Sequence, residues 1–124
     1  MIYLDTHVVV WLYEKRLDLL SSLARRLIER ETLLISPMVT LELAYLKEIG
    51  RIRVSSSTIV NYLQQKLGLA GCARPFPEVV RSSLRLSWTR DPFDRLIVGQ
   101  ARLSSSRLVT KDEHIHRHYR YAVW

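Results

Sequence analysis

The sequence predicts an α/β domain built on a mostly parallel, buried sheet, and three observations carry that expectation. Short apolar runs recur at 1–4, 33–35 and 108–110. Longer stretches between them place apolar residues at helical spacing. Start and stop signals bracket several of these stretches, among them Ser36-Pro37, Gly50, Gly68 and Asp91-Pro92. Short apolar strands alternating with helices imply strands covered on both faces, as in βα units.

Taken in order, residues 1–4 form an apolar run ending at Asp5, the pattern of a buried strand, and 7–13 follow as a short helix. Leu20, Leu23, Ala24, Leu27 and Ile28 fall at i, i+3, i+4, i+7 and i+8, the stripe of an amphipathic helix. Residues 33–35 make a second strand. Ser36 is then an N-cap with Pro37 at the first helical position, and that helix runs to about Ile49 before Gly50 stops it. A further helix covers 58–67 and closes at Gly68. Residues 69–72 are the weakest strand, followed by a break at Pro75-Phe76-Pro77 and a helix to about Leu84. Asp91-Pro92 opens a helix reaching Leu103, 108–110 is a strand, 113–117 a helical turn, and 121–123 a last strand.

No repeat, linker or biased segment divides the chain, so its 124 residues are expected to form one domain, 1–124. The single cysteine, Cys72, has no partner for an internal disulfide and is expected as a buried, inert thiol in a reducing compartment. The longest unbroken apolar run, 8–13, is far too short to cross a bilayer. Asp5 and His7 interrupt the N-terminal apolar stretch and no basic region precedes it, which argues against a secretory signal. A cytoplasmic protein with no membrane contact is the expectation.

Nineteen basic residues against 12 acidic ones give a formal charge of +7. A small basic domain commonly meets a polyanion, most often nucleic acid, although charge of this sign also serves solubility. Four of the acids occupy special places. Setting them aside leaves eight against the 19 basic residues, so any acidic site lies in positive surroundings.

The first is Asp5, at the carboxyl end of the first strand, where ligands gather in open α/β sheets. It is equally placed to cap the following helix. Glu42 lies between Val39, Leu46 and Ile49 on its helical wheel. A carboxylate on a core-facing stripe is costly unless a cation or strong donors meet it; the alternative is a side chain reaching past the stripe to an arginine or to water. Asp91 reads as the N-cap of its helix. Asp94, at the third helical position, suits the helix dipole, yet it falls beside Ile97, Val98 and Ala101 while Arg95 and Arg102 take the polar side. Asp112 follows the 108–110 strand by two residues and is either a turn residue or a second acid at the sheet's edge. Four carboxylates brought together would repel one another without cations, and hard oxygen donors suit Mg²⁺ or Mn²⁺.

Four stretches then resemble, in order, the motifs of PIN-domain ribonucleases: Met1-Ile2-Tyr3-Leu4-Asp5-Thr6-His7; Ser36-Pro37 to Glu42-Leu43; Arg90-Asp91-Pro92-Phe93-Asp94-Arg95-Leu96-Ile97; and Leu108-Val109-Thr110-Lys111-Asp112. Within that family the chain resembles the VapC toxins of bacterial and archaeal toxin–antitoxin pairs. The resemblance implies a three-layer α/β/α sandwich with a mostly parallel central sheet of about four to five strands. It also implies an Mg²⁺- or Mn²⁺-dependent endoribonuclease with Asp5, Glu42, Asp94 and Asp112 as its catalytic, metal-binding acids. Thr6 and Thr110 match the small hydroxyl residues beside them. A homodimer and a VapB-like antitoxin that covers the site are implied as well. One departure is Trp88-Thr89, where similar sequences often carry a histidine before the Arg-Asp-Pro-Phe-Asp segment.

The expected chemistry is in-line attack of activated water on an RNA phosphodiester, with one or two divalent ions at the acids. Arg90 and Arg95 are the first residues expected to hold the phosphates. His114, His116 and His118 are expected to face RNA or to pack. Two rival readings are a non-catalytic RNA- or antitoxin-binding module of the same fold, and a phosphohydrolase of the haloacid dehalogenase type. The second wants an acid two residues after Asp5, where this chain has His7.

Overall fold

A computed structural model describes residues 1–124. Five strands form one sheet in the order β3-β2-β1-β4-β5: β1 (Ile2–Leu4), β2 (Leu33–Ile35), β3 (Ala70–Gly71), β4 (Leu108–Val109) and β5 (Ala122–Val123). Every pairing is parallel; Tyr3 lies opposite Leu34 on one side and Leu108 on the other. Ile2, Leu4, Leu33, Ile35, Leu108 and Val109 are almost wholly buried, as strands covered on both faces require.

The chain runs outward from β1 to β2 and β3, then crosses back to β4 and β5. Right-handed crossovers in opposite directions lay the connecting helices on both faces. These helices are α1 (Thr6–Tyr13), α2 (Ser22–Arg30), α3 (Pro37–Glu48), α4 (Ser56–Leu67), α5 (Phe76–Ser83), α6 (Pro92–Leu103) and α7 (Glu113–His118). The reversal puts β2 and β4 on either side of β1, so the crevice beyond the carboxyl ends of β1 and β4 is the sheet's switch point.

Six of the seven helices start at a side-chain cap. Asp5, Ser21, Ser36, Ser55, Asp91 and Asp112 cap α1, α2, α3, α4, α6 and α7 with side-chain oxygens that accept backbone N–H groups. At the end of α4, Gly68 takes the left-handed conformation, φ 68°. Helices α5 and α6 approach closely because Ser83 faces Gly99: a Cβ on Gly99 would stand 2.0 Å from the Ser83 hydroxyl.

Three expectations shift. The α2 stripe begins too early: Leu20 follows a 3-10 turn at Leu17–Leu19 and is buried from outside the helix, whereas Leu23 is exposed. On α3, Ile49 is exposed and Leu46 only half-buried, and the core-facing residues are Val39 and Leu43. Cys72 is half-buried rather than buried, and its Sγ accepts a hydrogen bond from the Tyr3 hydroxyl at 2.9 Å.

Candidate active site

One cleft of about 410 Å³ opens at the switch point, and Asp5, Glu42, Asp94 and Asp112 all line it. Their elements explain the convergence. Asp5 and Asp112 follow the two strands that flank the switch, while Glu42 and Asp94 project from α3 and the first turn of α6.

Asp5 is 4% exposed and fully engaged. Its Oδ1 accepts the Thr6 N–H at 2.8 Å and its Oδ2 the Thr110 hydroxyl at 2.7 Å. The Thr110 hydroxyl in turn accepts the Asp112 N–H at 3.0 Å, and Asp112 Oδ1 accepts the Ile115 N–H at 2.9 Å. The cap and cleft alternatives for Asp5 and Asp112 are therefore both realised. Each carboxylate caps a helix and also lines the cleft. The Thr6 hydroxyl donates to Glu42 Oε1, tying α1 to α3.

Asp91 adds a fifth carboxylate. It caps α6 as expected, with Oδ1 accepting the Phe93 N–H at 2.9 Å, but it also lines the cleft. The sequence reading gave it only the structural role. Crowding shows in the titration of its neighbours. Burial, reinforced by the charges of Asp5, Asp91, Asp112 and Glu42, pushes Asp94 up to about 7. Burial also raises Glu42, against the Thr6 hydrogen bond that lowers it.

His7 closes one side. Its Nε2 accepts the Lys111 N–H at 2.9 Å, so the neutral ring carries its proton on Nδ1, 3.6 Å from Asp5 Oδ2. Burial lowers its pKa, overcoming the nearby Asp5 and Asp112. Trp11, one turn along α1, and Arg51, beyond the end of α3, also line the cleft. Neither was singled out from sequence. The signal for Trp11 is its i+4 spacing from His7 on a helix that starts at an acid; Arg51 has no local signal.

Arg95 is not where it was expected. Its Nε donates to the Ser83 carbonyl at 3.0 Å and its Nη2 to the Leu84 carbonyl at 3.1 Å, so it clamps α5 to α6 instead of facing phosphate. Arg90 is exposed and forms no ion pair. The three histidines mostly pack: His118 stacks on Trp88 with ring planes 3° apart, His114 meets Trp88 edge-on, and His116 Nε2 lies 2.6 Å from the Thr110 carbonyl.

The donor set is oxygen-rich and suits a hard divalent cation. No three Asp, Glu, His or Cys side chains stand close enough together to hold an ion as they are placed. Mg²⁺ needs no such cage, because it keeps several waters and takes one or two carboxylates directly. Carboxylates whose proton affinity rises through mutual repulsion are the groups a cation would relieve.

The fold and cleft together define a parallel α/β protein with an acidic centre at its switch point. The chain belongs to the PIN domain family, whose model matches residues 2–121. It is 34% identical to Ribonuclease VapC22 of Mycobacterium tuberculosis (strain ATCC 25618 / H37Rv), across 99% of this chain and 98% of that protein. Among solved structures it is similar to VapBC2 from Rickettsia felis bound to a DNA fragment from their promoter. That likeness has a TM-score of 0.65 and 22% identity, and it covers 94% of this chain and 92% of the other.

Proposed function

We propose that the chain is an endoribonuclease dependent on Mg²⁺ or Mn²⁺, the toxin of a VapBC-type toxin–antitoxin pair, acting as one PIN domain over residues 1–124. The observation that carries this reading is the gathering of Asp5, Glu42, Asp94 and Asp112 in one switch-point cleft of a chain with formal charge +7. The curated relative named a ribonuclease supports it along the full length.

Asp5, Glu42, Asp94 and Asp112 are the residues that would hold the cation, with Asp91 adding charge. When bound, a divalent ion activates water and offsets charge on a phosphate under attack. The chain's own contribution is positional. Thr6 and Thr110 fix the directions of Glu42 and Asp5, and Asp94, with its proton affinity raised to near neutral pH, can release a proton as a cation arrives. Arg90, Arg51 and Lys111 stand exposed near the cleft or its flanks as phosphate anchors.

The partners proposed are RNA as substrate, a VapB-like antitoxin and a second copy of this chain. Support for self-association comes from exposed Leu41, Tyr45, Phe76 and Leu84 on or beside α3 and α5, with Tyr45 packed against Phe93 of α6 at 5.6 Å between ring centres. The VapBC complex among similar structures motivates the antitoxin assignment. No helix is long and apolar enough to cross a membrane, and a cytoplasmic site of action fits an RNA substrate.

Total cellular RNA incubated with the purified chain, with Mg²⁺ or Mn²⁺ and with EDTA, provides the test. Discrete cuts that vanish in EDTA and in Asp5→Asn are expected, and mapping the ends would locate the target sequence. RNA that is bound but never cut would instead favour a non-catalytic module of the same fold.

A further inference from the structure

The acid cleft has a second character. Besides the carboxylates it is lined by Val10, Trp11, Leu46 and Ile52, all half-buried, and by Arg51. It also continues: a neighbouring cavity of about 290 Å³ shares Val10, Arg51 and Ile52 with it and adds Tyr13, Glu14, Arg53, Val54 and Ile59. The segment between α3 and α4 that forms this wall is anchored by the Arg51 N–H donating to the Leu46 carbonyl at 2.8 Å. Arg51 and Arg53 are exposed and form no ion pair or side-chain hydrogen bond, so both guanidinium groups are free.

An apolar, aromatic wall beside a phosphate-attacking centre, with unpaired arginines along its rim, matches single-stranded nucleic acid one nucleotide at a time. The molecule offers two tryptophan–histidine groups, and they differ in availability. Trp88 is covered by His118 in a parallel stack, 3° and 4.8 Å. Trp11 meets His7 at 60° and Trp124 at 62°, so neither neighbour lies parallel to its ring. Trp11, not Trp88, lines the cleft.

We propose that Trp11, with Val10, Leu46 and Ile52, forms a nucleobase subsite that seats the base adjoining the scissile phosphate, while Arg51 holds the neighbouring phosphate of the same strand. The proposal rests on the ribonuclease reading and adds to it the residues that would hold one base beside the cut.

The experiment uses short single-stranded oligoribonucleotides carrying the mapped cut site, intact or with an abasic ribose immediately to either side of the cut. Binding is measured by fluorescence anisotropy in EDTA, and cleavage separately with the divalent ion. In the wild-type chain the abasic ribose on one side should weaken binding by roughly 5- to 150-fold, the range for one base stacked on an aromatic ring. Trp11→Leu should show the same loss with the intact RNA and no further loss with the abasic one. Trp11→Phe should retain most of the binding and guards against a Trp11→Leu chain that fails to fold, judged by its thermal melt. Arg51→Ala should lower the slope of log affinity against log salt by about 0.7, one phosphate on a single strand.

Losses from Trp11→Leu and from the abasic ribose that simply add would overturn the subsite while leaving the nuclease intact. So would a Trp11→Leu chain that binds RNA normally but no longer binds a co-purified antitoxin, since the wall would then be a protein-docking surface. A wild-type chain that cuts no RNA with either cation sinks the nuclease reading itself.

Discussion

The two ends of α6 are built for opposite purposes. In its first turn Asp94 shares a cleft with four other carboxylates, and burial and repulsion push it up to about 7. Ile97, Val98 and Ala101, from one to two turns later, are essentially inaccessible, and Gly99 admits α5 so closely that no side chain fits. The first region is a place where folding concentrates like charge; the second is where it fills space. One helix thus carries the crowded acid and the packing that fixes it, and the two halves should respond to mutation in different observables. Changes at the acid end should read in activity and cation dependence. Changes at the packed end should read in stability.

The largest expected effect is at the acid end. Asp94→Asn or Asp5→Asn should cut divalent-dependent RNA cleavage by roughly 100-fold or more, several kcal/mol of barrier. Asp94→Asn should leave the melting temperature in EDTA at neutral pH unchanged or higher, because a repelled charge is removed. Near-normal turnover with Asp94→Asn would break the contrast at its first point. Next comes the packed end: Ile97→Ala should cost about 2–5 kcal/mol, measured by denaturant unfolding. Per folded molecule its cleavage rate should stay within a few-fold of the parent, on the order of 1 kcal/mol of barrier.

Gly99→Ala is the next step down. The added methyl meets the Ser83 hydroxyl at 2.0 Å, with Ser83 Cβ at 3.1 Å and the Ser83 backbone at 3.3 Å behind it. Overpacking of this sort costs about 1–3 kcal/mol. A double variant with Ser83→Ala should recover part of the loss but not all, since Cβ and backbone remain close. Full recovery would show that only the hydroxyl sets the α5–α6 approach.

The sequence carried more of this contrast than of its details. Asp5 and Asp112 could be placed because a short apolar run ending at an acid identifies a strand's carboxyl edge, and the element order puts both at the switch point. Asp94 could be placed because Ile97, Val98 and Ala101 define the buried face of its own helix. What failed was anything decided by a different element. Arg95 lies on the polar side of a helical wheel, yet the free carbonyls at the end of α5 capture its guanidinium. Asp91 was assigned to capping because caps are local, whereas its position over the cleft depends on α3 and β1. Ile49 and Leu23 fit an apolar stripe by spacing but lie exposed, since a wheel gives the angle of a side chain and not whether anything packs against it. Arg51 sits outside any motif and reaches the cleft only because the loop after α3 folds back on Leu46.

The last prediction is the pH dependence of stability in EDTA. Asp94 is raised in the folded chain from its ordinary 3.8 to about 7. It therefore favours folding in its protonated form: that contribution is complete below about pH 4 and disappears as pH rises through 7. Glu42, also raised by burial, acts in the same direction. His7 acts oppositely, because burial lowers its pKa and the neutral ring it favours is gained as pH rises. The parent's melting curve alone mixes these, so the useful quantity is its difference from Asp94→Asn. Asp94→Asn should gain on the parent steadily from pH 4 to pH 8, and excess Mg²⁺ should shrink that gain by relieving the repulsion in the parent. A difference that stays flat across this range would mean that Asp94 is not crowded in the folded chain, and the contrast between the two ends of α6 would lose its electrostatic half.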